Sequence, residues 1–185
     1  SHLASEYGVY LIADEVYHPL RYRGECGHSF GEFTDNERVL SLGSFSKILG
    51  PGLRLGWIRA SSKTLHSLVT SGQLDSGGGL SAFTASIVKS ALGSGEMDEH
   101  LEHLREVYRE RLNRLTAALD VFFTPYATFR VPDGGYFVWL NLAEGLEEEA
   151  LLEAAKEEKV RFLPGGRCVP EESFSAAGKK SFETA

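Results

Sequence analysis

The chain has 185 residues, 42% of them hydrophobic and 11% aromatic, enough apolar mass for a core and too much for a wholly disordered chain. Its formal charge of -7 excludes broad binding to a nucleic-acid backbone, which needs a basic surface, while leaving room for a local anion site. Two cysteines, Cys26 and Cys168, stand apart with no CxxC or Cys/His cluster, so neither a disulfide framework nor a zinc site is expected and a reducing, cytoplasmic setting fits.

In chain order, the N-terminal SHLASEYGVYLIADE lacks the basic region and cleavage site of a signal peptide. It reads as a short helix end running into a strand over Val9–Ala13 that closes at Asp14. Continuous apolar character predicts that this strand is buried on both faces of a parallel sheet. Arg38–Leu42 and Leu53–Ala60 are further strands, and Ser61 and Ser62 cap a helix running to about Gln73. Gly77, Gly78 and Gly79 break the pattern before a helix over Ser81–Leu92.

From Met97 to Leu119 apolar residues step by three or four, predicting one long amphipathic helix. Beyond Pro125 come short strands at Thr128–Val131 and Tyr136–Leu142, a helix over about Glu147–Lys159 and a strand over Val160–Leu163. The apolar runs fall far short of the roughly 20 residues that span a bilayer, so no membrane partner is expected. His100 and His103 sit among Glu96, Glu99 and Glu102, but alternating charges on such a helix are its wet face, and no metal is expected. The organisation expected is an α/β portion over 1–95, then a connecting helix and small α+β lobe over 96–185.

Two stretches fall where ligands of open α/β sheets bind, outside the carboxyl ends of strands. One is IADEVY, with Asp14 at a strand end and Tyr17 three residues on; a buried carboxylate there needs a cationic or hydrogen-bonding partner, unless it only caps the turn. The other is SLGSFSKILGPGLRLGWI, Ser41–Ile58. Ser44, Ser46 and Arg54 offer hydroxyls and a guanidinium of the kind a phosphate needs, and Gly50, Pro51 and Gly52 let the chain turn back. Lys47 lies beside them, and a lysine in a semi-enclosed cationic pocket can attack a carbonyl. Lysine, phosphate donors and a carboxylate together suit an aldehyde cofactor that bears a phosphate and a ring nitrogen.

DEVY at 14–17, SFSK at 44–47 and GLRLGW at 52–57, in that order and spacing, resemble the class I/II, fold type I pyridoxal-phosphate aminotransferases. The likeness continues through HLEHLREVYRERLNRL and PDGGYFVWL, and its nearest flavour is the 2-aminoadipate and kynurenine aminotransferase branch. It implies part of a mixed, mostly parallel sheet flanked by helices, the large domain being incomplete, followed by the small lobe. It implies pyridoxal 5'-phosphate as cofactor, an α-amino acid and a 2-oxo acid as substrates, and a homodimer when full length. By position, Lys47 would form the Schiff base and shuttle the α-proton, Asp14 would pair with the ring nitrogen, and Tyr17 would hydrogen-bond the ring's phenolic oxygen. Ser44, Ser46 and Arg54 would hold the phosphate. Gly134 and Gly135 either let the backbone approach the substrate or make a tight hairpin turn.

The sequence departs from that family at both ends, and a fragment is the expectation. Relatives have roughly 350–450 residues by this resemblance, with part of the site before DEVY. Where relatives carry an arginine for the substrate carboxylate in an RLSF-like segment, this chain reads KKSF, Lys179–Phe182. Lys179 substitutes poorly for the arginine fork, or the alignment slips, or this end is not a functional terminus. A carbon-sulfur lyase of the same fold, a ligand-sensing domain of a transcriptional regulator and a non-catalytic remnant stand beside the aminotransferase reading.

Overall fold

Short apolar runs separated by turn residues give a strand, a long excursion and a second strand that returns alongside the first. The computed structural model describes residues 1–25, 27–75 and 80–168. Helix α1 (His2–Glu6) precedes β1 (Leu11–Asp14), which pairs in parallel with β2 (Val39–Ser44), Leu11 opposite Val39 and Asp14 opposite Leu42. β3 (Gly56–Arg59) then pairs antiparallel with β2, Ser44 opposite Gly56. The sheet is therefore mixed in the order β1-β2-β3, with one pairing of each kind among the described residues. The connection from Ser44 to Gly56 is too short for the crossover that a parallel return requires.

The expected strand over Leu53–Ala60 loses its first half to that reversal. Pro51–Leu53 form a 3-10 turn, and Arg54 sits in the left-handed region at φ 50, ψ 41, so pairing begins only at Gly56. The strand predicted to be buried on both faces is not. Ile12 on β1 is 62% exposed and Asp14 is exposed, whereas Val39 on β2 is fully buried. β1 has one sheet neighbour among the described residues; β2 has two.

Helix α2 (Ser62–Val69) starts where Ser61 accepts the Thr64 N–H at 3.1 Å, the N-cap expected from the sequence. It ends at Thr70, and Gly72 opens a separate turn of helix, α3 (Gly72–Asp75). α4 (Ala82–Ser94) is capped by the Ser81 hydroxyl, and Gly95 at φ 80 passes the chain into α5 (Glu96–Phe122). That left-handed angle comes without penalty to glycine. Acidic Glu96, Asp98 and Glu99 fill the first turn of α5, where the helix dipole favours them.

The contacts divide the chain into two units, 1–117 with 131–138, and 118–130 with 139 onward. The core of the first is Leu20, Phe45, Ile48, Leu55, Val88 and Met97, with Leu101, Leu104 and Tyr108 of α5 packed against it, which is the face that the three-to-four spacing predicted. The second contains β4 (Ala127–Phe129) paired antiparallel with β5 (Leu140–Leu142), and α6 (Glu148–Glu157). The predicted strand over Val160–Leu163 does not form. Lys159 leaves α6 at φ 59 with Val160 N–H on the Ala155 carbonyl, and the Glu148 carboxylate draws in the backbone N–H groups of Gly165 and Gly166 at 2.7 and 3.4 Å. No helix among the described residues is long and apolar enough to cross a membrane.

Candidate active site

The candidate site lies in the first unit and grows from the carboxyl end of β2. Val39, Leu40 and Ser41 are buried, and burial relaxes towards Ser44. Opposite Gly43 in the ladder stands Trp57, whose indole lies so close that a Cβ on Gly43 would come within 2.1 Å of it. The same indole packs against Phe45 at 4.7 Å between ring centroids. After the strand, the N–H groups of Ile48, Leu49 and Gly50 all donate to the Phe45 carbonyl, at 3.3, 2.8 and 3.0 Å. Phe45 and Ile48 are drawn into the core by this turn, leaving Ser46 and Lys47 half-buried between them.

Lys47 Nζ lies 5.5 Å from the centroid of the Tyr17 ring, close enough for the ring's electron-rich face to attract the ammonium. Tyr17 meets Tyr136 edge-on at 5.3 Å, and Tyr136 lies 4.9 Å from Tyr108. The hydroxyls form a directed chain. Tyr108 donates to Tyr136 at 3.4 Å, and Tyr136 donates to the Lys47 carbonyl. Burial pushes the Tyr136 phenol well above its ordinary value, so Tyr136 remains a protonated donor at neutral pH.

The phosphate-like donor set comes together as well. The Ser46 N–H donates to Ser44 Oγ at 3.1 Å, and the Arg54 guanidinium reaches Ser46 Oγ at 3.5 Å and the Pro51 carbonyl at 3.2 Å. Two hydroxyls and a guanidinium at one strand end are chemically suited to a phosphate dianion, and Lys47 supplies an amine one residue away. The set therefore fits pyridoxal phosphate. Asp14 ends the neighbouring parallel strand, its carboxylate accepting from the Val16 N–H at 3.4 Å. The turn-cap contact is present, and the desolvation expected of Asp14 is not. Lys179 lies outside the described residues.

The less exposed carboxylate of this run is the half-buried Glu15, which the sequence reading passed over. It accepts from Ser29 Oγ at 3.1 Å and the Phe30 N–H at 3.0 Å, 3.9 Å from His18. Burial pushes its pKa up, but hydrogen bonds from Ser41, Phe30 and Ser29 outweigh that and hold it below the usual carboxylate range. Its place next to Asp14 follows from strand alternation, which sends consecutive side chains to opposite faces. Gly134 is also explained by packing. It bridges to Arg21, and a Cβ there would meet the Leu20 carbonyl at 2.5 Å.

A cavity of about 330 Å³ opens beside this cluster, lined by Tyr17, His18, Arg21, Gly134, Tyr136 and Phe137 among others. Tyr136 had no local signal beyond an apolar strand pattern. His100, read as part of a wet helix face, is half-buried with Nε2 2.9 Å from the Ile48 carbonyl. That contact requires the Nε2–H tautomer, because a carbonyl can only accept. Among the described residues no group of three or more His, Cys, Asp or Glu is arranged to hold a metal.

Residues 1–174 match the family model for aminotransferase class I and II. An aromatic-amino-acid aminotransferase of Thermococcus litoralis is 34% identical over 164 residues, covering 88% of this chain and 39% of that protein. The solved structure of an alpha-aminoadipate aminotransferase from Thermus thermophilus, complexed with N-(5'-phosphopyridoxyl)-L-leucine, superposes with a TM-score of 0.77 at 34% identity, over 89% of this chain and 43% of that one. An HTH-type transcriptional regulator of Staphylococcus aureus is also 34% identical over 164 residues, 88% of this chain and 36% of the regulator. The chain thus spans about two fifths of the length of the curated relatives it matches.

Proposed function

We propose, from the premise that the chain belongs to the aminotransferase class I and II family, that the protein carrying it moves an amino group between an α-amino acid and a 2-oxo acid with pyridoxal phosphate as cofactor. The observation that carries the reading is the half-buried Lys47, set over the Tyr17 ring and one residue from the Ser44, Ser46 and Arg54 donors. The cofactor supplies an aldehyde that condenses with amines and a ring that accepts electron density.

The chain's own residues then divide the work. Arg54 with the Ser44 and Ser46 hydroxyls anchors the phosphate by charge and hydrogen bonds. Asp14 would pair by charge with the ring nitrogen and hold a proton there, and Tyr17 would donate its hydroxyl to the ring's phenolic oxygen. The Lys47 amine would hold the cofactor's aldehyde end, and it would take a proton from the substrate α-carbon and return one. Lys179 is the proposed contact for the substrate carboxylate, as a point charge rather than a fork. The reading extends to a homodimer and to a cytoplasmic setting.

The test uses the full-length gene product. Pyridoxal phosphate added to it should give the visible absorbance of the lysine-bound cofactor, and Lys47→Ala should abolish it. Persistence of that absorbance in the variant would sink the reading. Release of ammonia and a 2-oxo acid with no amino acceptor present would favour the lyase alternative. The match to the Staphylococcus aureus regulator supports a second reading, a sensing domain that binds the same cofactor. Specific DNA binding by the full-length protein, without amino transfer, would decide for it.

A further inference from the structure

Lys47 sits in a turn whose backbone is held at two successive carbonyls by side chains from distant parts of the sequence. The turn's own N–H groups converge on Phe45, so its later carbonyls depend on other donors. The Ile48 carbonyl faces Nε2 of His100 on α5 at 2.9 Å, and the Lys47 carbonyl accepts from the Tyr136 hydroxyl. Tyr136 is itself held by three rings or hydroxyls. Tyr17 packs against its ring at 5.3 Å and Tyr108 at 4.9 Å, and the Tyr108 hydroxyl donates to its oxygen at 3.4 Å. The same Tyr17 ring receives the Lys47 ammonium at 5.5 Å. Backbone and side chain of one lysine are thus gripped by a single aromatic cluster.

We propose that Tyr136 is a positioning residue for Lys47, its hydroxyl fixing the lysine's peptide so that the ε-amine is presented from the Tyr17 face. A hydrogen bond to the carbonyl fixes the peptide plane, and with it the direction in which Cα–Cβ of Lys47 leaves the turn. Without that bond the four-carbon stem samples more rotamers, and fewer of them place the amine to react. The amine's arrival geometry changes while the binding of other groups does not. The inference rests on the proposed role of Lys47.

The test compares Tyr136→Phe with the parent in the full-length gene product. Phenylalanine keeps the ring packing and removes the donor. The first readout is the rate at which cofactor-free protein captures added pyridoxal phosphate, followed by absorbance; the second is the split between kcat and KM. Tyr136→Phe should slow capture and lower kcat by about 3- to 10-fold, the factor that one ordinary hydrogen bond represents. KM should stay within about twofold because the ring that lines the cavity is kept. His100→Gln, which disturbs the contact at the adjacent Ile48 carbonyl, should slow capture in the same direction.

Parent-like capture and kcat in Tyr136→Phe, alongside loss of the absorbance in Lys47→Ala, would overturn this inference and leave the Lys47 reading standing. Persistence of the absorbance in Lys47→Ala would overturn both. If Tyr136→Phe lowers the melting point, unchanged capture by a stably folded His100→Gln overturns the proposal.

Discussion

β1 and β2 are adjacent parallel strands that each begin with two large apolar residues, yet they meet opposite fates. β2 is enclosed by β1 on one edge and β3 on the other, and Val39 and Leu40 are buried; β1 leaves Ile12 at 62% exposure. Apolar character records the burial a strand is suited to, and the number of neighbours sets the burial it receives. The two strands also differ in how tightly their ends are held. β2 runs into a turn fixed by Phe45, Trp57, Tyr136 and His100, whereas Asp14 at the end of β1 is held by a local turn contact.

Substitutions sharpen that contrast in the 185-residue chain. Gly43→Ala should have the largest effect, a loss of about 3 kcal/mol, because the new methyl would overlap the Trp57 indole and force it off Phe45; denaturant melts and a red shift of tryptophan fluorescence would report it. Val39→Ala should follow at about 2 kcal/mol, from the lost burial of a fully enclosed side chain. Glu15→Gln should cost about 1 kcal/mol at neutral pH by weakening charge-assisted bonds to Ser29 and Phe30.

The Glu15 effect carries a pH signature. Its folded pKa lies below the ordinary carboxylate value, so its stabilisation is present above the unfolded value and lost as pH falls through the folded one. The parent and Glu15→Gln should converge in acid melts; a gap that stays constant would contradict the arrangement. Ile12→Ala should be smallest, within about 0.5 kcal/mol, since its side chain gains little from burial. A cost near that of Val39→Ala would erase the contrast between the strands.

Local patterns in the sequence disclosed most of what is local in the structure. The three-to-four spacing from Met97 to Leu119 marked α5 and its packed face, and Ser61 marked the start of α2. Ser44, Ser46, Lys47 and Arg54 were legible as a group because one turn gathers them. Tyr136 was not, since it reaches Lys47 across 89 positions and hydrogen bonds at that range leave no periodic trace. Glu15, the neighbour of Asp14, was hidden differently: DE reads as two carboxylates, and only the strand's pleat decides that Glu15 turns inward. The strand expected at 160–163 failed because apolar residues alone do not supply a pairing edge.

Arg54 occupies a backbone angle that costs a side-chain-bearing residue on the order of 1 kcal/mol and costs glycine nothing. With its proposed phosphate role, folding and anion capture pull this position towards different amino acids. A glycine here would yield a sturdier backbone that, on the proposed reading, grips phosphate poorly, so a search for heat resistance alone would drift towards erasing the proposed anchor.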